Sequence, residues 1–129
     1  MGATIRVKRV YAPPDDGDGV RVLVDRLWPR GLSRADAHLD HWLKDVSPSD
    51  ELRRWFDHRA DRWTEFSRRY QAELLGAEAV RQLLDLSANG VVTLLYAAKD
   101  EAHNNAVVLA EHLREARRDG PATPTKASA

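Results

Sequence analysis

Two short stretches hold most of the side chains that could do chemistry. The first, Asp25 to Arg34, follows the apolar run Val20, Val22, Leu23 and Val24 and carries Asp25, Arg26, Trp28, Arg30 and Arg34. These arginines recur every fourth residue, yet Pro29 and Gly31 between them rule out a helix. A loop therefore presents them, and their planar forks match carboxylate or phosphate. The structural alternative pairs Arg26 with a nearby acid and leaves the others in solvent. Asp25 is a candidate general base where poorly solvated. It is equally a loop anchor that accepts backbone N–H groups. Trp28 is extended because a proline follows it. It suits a flat ligand, an arginine or the core. A helix capped by Ser33 would add free N–H groups to an anion site.

The second stretch, Lys99 to Asn105, gathers Lys99, Asp100, Glu101, His103, Asn104 and Asn105. His103 is the candidate general acid or base, Asp25 or Asp100 the residue that tunes it, and Asn104 and Asn105 the groups that orient a ligand. The structural alternative makes Asp100 or His103 a helix cap and the rest polar surface. The remaining histidines say less. His38 and His41 stand three apart with no third ligand in view. His58 falls in a turn between helices, and His112 lies late in a helix. The sequence assigns no metal, and no phosphate loop, G-x-S-x-G or H-E-x-x-H motif occurs.

Both stretches need strands behind them. Thr4 to Tyr11 alternates apolar and basic residues and reads as a half-buried strand. Ala12 to Gly19 is a turn-rich link, too short for the usual parallel crossover, so an antiparallel neighbour is expected. Val20 to Val24 is a second strand. Val91 to Tyr96, apolar throughout, is a third with both faces covered. Helices are expected from Ser33 through Val46, after Ser47-Pro48-Ser49-Asp50 with Pro48 in the first turn, from Asp61 to Leu74, over Ala77–Ser87, and after Asn105. Asn89-Gly90 is expected as a left-handed stop and Gly120-Pro121 as the end of the last helix. The long helical link between the second and third strands implies that they run parallel. Their carboxyl ends, and the two polar stretches, then share one edge, where open α/β sheets place ligands. The expected fold is α/β: a small three-stranded mixed sheet with parallel central strands and about five helices, in one domain over residues 1–120. Residues 121–129 are expected to be a disordered tail.

Composition narrows the function. Lysine plus arginine and aspartate plus glutamate each number 20, so the formal net charge is zero. General nucleic-acid coating is disfavoured. There is no cysteine, which excludes thiolate chemistry, disulfides and cysteine-bound metals. No apolar run of signal-peptide type opens the chain and none reaches membrane-spanning length, so a cytoplasmic protein is expected.

Five segments carry a family resemblance: DRLWPRG (25–31), the Trp42–Ser49 run, ELRRWFDH (51–58), RWTEFSRRYQAEL (62–74) and VTLLYAAKDEAHNNAVVLAEHL (92–113). Together they resemble the YeaO-like branch of a large bacterial family built on a domain of unknown function. The resemblance implies a small cytosolic α/β fold and no established activity. A methyltransferase label attached to some relatives finds no glycine-rich cofactor loop here. The family's recurring polar positions fall on Asp25, Arg26, Arg30, Lys99, Asp100, His103 and Asn104. Other branches carry cysteine and histidine in the loop matching Ala97 to Asn105, and a thiol mechanism there would not extend to this chain. The expectation is a pocket for a small anionic ligand bearing phosphate or carboxylate, with the cofactor unknown. The alternative is a non-enzymatic module that contacts protein or RNA.

Overall fold

Val91–Tyr96 lies at the centre of the sheet because its neighbours cover it on every side. In the computed structural model, which describes residues 4–119, Val92, Leu94, Leu95 and Tyr96 are buried. Four strands form the sheet: β1 (Thr4–Arg9), β2 (Val20–Leu23), β3 (His41–Trp42) and β4 (Val91–Tyr96). Their order is β1-β4-β2-β3, and every pairing is parallel. Five α-helices accompany them among the described residues: α1 (Arg34–Ala37), α2 (Asp50–Phe56), α3 (Trp63–Leu74), α4 (Glu78–Leu86) and α5 (Asn105–Asp119). The main core joins Ile5, Val22, Val24, Leu94 and Tyr96 to Phe66, Tyr70, Leu83, Leu109 and Leu113. A smaller cluster of Val10, Leu23 and Leu95 lies beneath Trp28 and Trp42.

The α/β class holds, but the sheet corrects the expected three-stranded mixed arrangement. The first strand has no antiparallel partner, because β4 inserts between β1 and β2. The link from β1 to β2 therefore crosses β4 without an α-helix, using one 3-10 turn at Asp16–Asp18. Side chains hold that crossing down. Asp18 is buried and pairs with Lys8 at 3.0 Å and Arg21 at 2.5 Å. Thr93 Oγ1 donates to the Asp18 carbonyl at 2.7 Å. Gly19, at φ 64°, makes the final approach; a Cβ there would stand 2.2 Å from the Val91 carbonyl oxygen.

The second correction is the helix expected from Ser33 through Val46. It ends at Ala37, where His38 turns left-handed at φ 51°. Arg21 donates to the Ala37 and His38 carbonyls, each at 2.9 Å, and the Asp40 carboxylate accepts the Arg21 N–H at 2.8 Å. Those bonds end the helix and deliver His41–Trp42 to the sheet edge. His38 and His41 therefore share no helix face. Two smaller expectations also fail. Pro48 precedes the cap, Ser49, instead of entering α2, and Asn89 and Gly90 keep negative φ. The expected helix stop at Gly120-Pro121 and the tail at 121–129 lie outside the described residues.

Candidate functional site

Parallel strands put their carboxyl ends on one edge, and the loops that leave β1, β2 and β4 meet there. The Asp25 carboxylate accepts the Ala97 N–H at 2.9 Å. The Asn105 amide donates to the Val24 carbonyl at 3.1 Å. Arg9 donates to the Ala97 and Ala98 carbonyls, each at 2.9 Å. Tyr11, just past β1, donates its hydroxyl to the Arg30 carbonyl at 2.7 Å. Between these loops and the α2 segment lies a cleft of about 460 Å³.

Of the residues picked out by sequence, Asp25, Arg26, Trp28, Arg30, His103, Asn104 and Asn105 line this cleft. Arg34, Lys99 and Asp100 do not. Arg34 lies over the Trp28 ring, 4.4 Å from its centre, and Lys99 is exposed. Asp100 accepts the N–H groups of Ala102 and His103, both at 3.0 Å, and stands 2.9 Å from His103 Nδ1. That partner holds the Asp100 carboxyl below the usual carboxylate range. Asn104 is buried, and its Oδ1 accepts the Val107 N–H at 3.1 Å as the cap of α5. The helix cap is thus Asn104, which is buried, and not Asp100 or His103 as the structural alternative had it; Asp100 closes the turn before the helix. Trp28 is half-buried, donates its indole N–H to the Leu32 carbonyl at 2.6 Å and meets Trp42 edge-on at 5.2 Å.

Electrostatics divide the cleft. Burial pushes the Asp25 carboxyl up, against the opposing pull of the Ala97 N–H, the Asn105 amide and Arg53. Arg26, one residue on, turns to Asp50 instead at 3.4 Å. Arg53 binds the same Asp50 carboxylate at 2.9 Å. The Nε atoms of Arg26 and Arg53 have no hydrogen-bond partner. The helix whose start borders the cleft is α5, through Asn104 and Asn105, and not the short α1 behind Ser33.

Sequence reasoning missed Tyr11 and Arg53 and gave His58 only a place in a turn between helices, yet all three line the cleft. Tyr11 was missed because an antiparallel first strand would carry it to the opposite edge; the parallel pairing of β1 with β4 brings it to the same edge as the two loops. Arg53 sits three residues before Phe56 on α2, and the buried Phe56 turns that face inward. His58 follows Asp57, and both adopt positive φ, at 55° and 48°. No composition signal marks that pair. Among the described residues no three acidic, histidine or cysteine side chains converge to hold a metal. No helix of the described residues is long and apolar enough to cross a membrane.

Comparison with known proteins adds a family without an activity. Residues 4–129 match the family DUF488-N3i, described as the inactive DUF488-N3 subclade. The uncharacterized protein Rv3073c of Mycobacterium tuberculosis is 46% identical over 109 residues, covering 84% of this chain and 92% of that protein. Uncharacterized protein Mb3100c of Mycobacterium bovis matches to the same extent. The uncharacterized protein YeaO of Escherichia coli is 45% identical over 111 residues, covering 85% of this chain and 96% of that protein. No solved structure matches the chain.

Proposed function

The chain belongs to the DUF488-N3 family, in the subclade described as inactive, and on that premise we propose that its cleft binds a small anionic ligand bearing phosphate or carboxylate. The observation that carries this reading is the convergence of Arg26, Arg30 and Arg53 on one cleft at the strand carboxyl ends. Arg30 is exposed, and Asp50 is the sole acid shared by Arg26 and Arg53 among the described residues. Guanidinium forks gathered at a partly enclosed site favour planar anions. The start of α5 adds its dipole in the same sense. With no cysteine in the chain, binding proceeds without a thiolate step. Calorimetric titration with inorganic phosphate and pyrophosphate tests this. The wild type is expected to bind, and Arg30→Ala to bind at least about tenfold more weakly. Equal affinity in the variant would remove Arg30 from the site.

One observation favours a second reading, in which the site also moves a proton. The Asp100 carboxylate, 2.9 Å from His103 Nδ1, orients the imidazole and leaves Nε2 outside that contact. On this reading His103 is the acid or base, with Asp25 assisting from the β2 end. A screen of phosphate esters separates the two: turnover lost in His103→Asn supports catalysis, and binding without turnover leaves the anion site alone.

A further inference from the structure

The polar groups of the cleft are graded by depth. Arg30 is exposed, and the side chains of Arg26 and Arg53 keep 38% and 39% of their surface. These guanidiniums stand at the mouth. Asp25 is more enclosed, held at the end of β2 by the Ala97 N–H on one carboxylate oxygen. Among the described residues no ion pair includes Asp25. The Asn105 amide and Arg53 also act on this carboxylate, and with no contact ion pair it keeps acceptor capacity for a further donor.

Apolar side chains line much of the rest of the cleft, with one face of Phe56 stacked on Phe66 at 4.3 Å. Pro29, Pro48 and Phe56 line the walls with the imidazole of His103, whose ring rests edge-on against Trp63 at 5.1 Å. The volume, about 460 Å³, lies in the range of ordinary small-molecule sites and far exceeds what a bare phosphate fills. A ligand that uses the whole cleft therefore has an anionic head, a flat body and a hydrogen-bond donor at its far end.

We infer that the ligand is a nucleoside monophosphate whose base presents an amino group. This rests on the reading of the cleft as an anion site and names the ligand class. The phosphate lies at Arg26, Arg30 and Arg53, the base lies between the proline and Phe56 walls, and its amino group donates to Asp25. A carboxylate accepts from base amino groups and is mismatched to base carbonyls, whose oxygens only accept. Burial raises the cost of the ionised Asp25 carboxylate, and a donor from the ligand offsets that cost.

The test is a calorimetric titration with matched pairs that differ in the amino group: cytidine against uridine 5′-monophosphate, and guanosine against inosine 5′-monophosphate. Inorganic phosphate runs beside them. In the wild type the amino-bearing member of at least one pair is expected to bind about tenfold or more tighter than its partner. In Asp25→Asn that ratio falls toward one, because an amide both donates and accepts, while inorganic phosphate still binds, as tightly as to the wild type or tighter, since a negative charge acting on Arg53 is lost. Discrimination in either pair that is lost in the variant supports the inference. If Asp25→Asn does not fold, the wild-type ratios alone decide it. Equal affinity within both pairs overturns it. So does binding of phosphate without any nucleotide, a result that leaves the anion site standing. Failure of phosphate and nucleotides alike removes both.

Discussion

The Ala97 N–H donates to the Asp25 carboxylate at 2.9 Å, and this one bond joins the end of β2 to the end of β4. Asp25 is fixed from its other side too, since its carbonyl accepts the Trp42 indole N–H at 2.8 Å. One residue therefore couples the arginine loop, the histidine–asparagine loop and the β3 edge. It does so with a carboxylate whose ionised form is penalised by burial.

That penalty sets a pH dependence. The folded Asp25 pKa lies above the unfolded value near about 3.9. Between the two values the folded state binds more protons, so the Asp25 contribution falls as pH rises through that window and stays lower above it. Asp25→Asn removes the charge and keeps an oxygen for the Ala97 N–H. Urea unfolding at pH 7 is expected to find the variant as stable as the wild type or more so. That advantage is expected to vanish below about pH 4. A deficit of equal size at both pH values would show that the carboxylate is not penalised.

Asp50 acts as an internal competitor for the anion. It is exposed and binds Arg53 at 2.9 Å and Arg26 at 3.4 Å, two cations of the proposed grip. Those contacts hold its carboxyl below the usual range, with Arg53 the chief cause. An exposed pair is weakly held, so an incoming anion displaces it at low cost. Asp50→Asn is expected to raise phosphate affinity about two- to fivefold by calorimetry. Unchanged or weaker binding would show that these arginines do not meet the ligand.

The crossing over β4 depends on Gly19. Its φ of 64° disfavours any side chain, and a Cβ would collide with the Val91 backbone. Gly19→Ala is expected to cost more than about 2 kcal/mol in urea unfolding. By contrast Gly76→Ala, also at positive φ but with open space around it, is expected to cost about 1 kcal/mol. Equal losses at the two positions would mean that the link does not press on β4.

Much of the site was legible because it depends on strand polarity. Val20–Leu23 and Val91–Tyr96 are short apolar runs joined by a long helical segment, and such runs pair parallel. That placed Asp25, Arg30, His103 and Asn105 on one edge before any coordinates. The sheet order was not legible. The link Ala12 to Gly19 looked too short for a parallel crossover because nothing local reports that β4 lies between its ends. The helix after Ser33 was overread for a similar reason. Leu39, Trp42, Leu43 and Val46 keep helical spacing, yet Arg21, distant in sequence, takes the Ala37 and His38 carbonyls and ends the helix. Arg53 escaped notice, and His58 was read only as a turn residue between helices, because both reach the cleft through the packing of α2.

The central claim is that the cleft between the two loops holds an anion. Titration of the 15N-labelled protein with inorganic phosphate, followed by amide chemical shifts, tests it most directly. The account predicts saturable shifts at Arg30, Gly31, Ala97 and Asn105, abolished in the Arg26→Ala, Arg53→Ala double variant while the fold is retained. Absence of saturable shifts at those amides, or saturation centred on another face of the molecule, would contradict it.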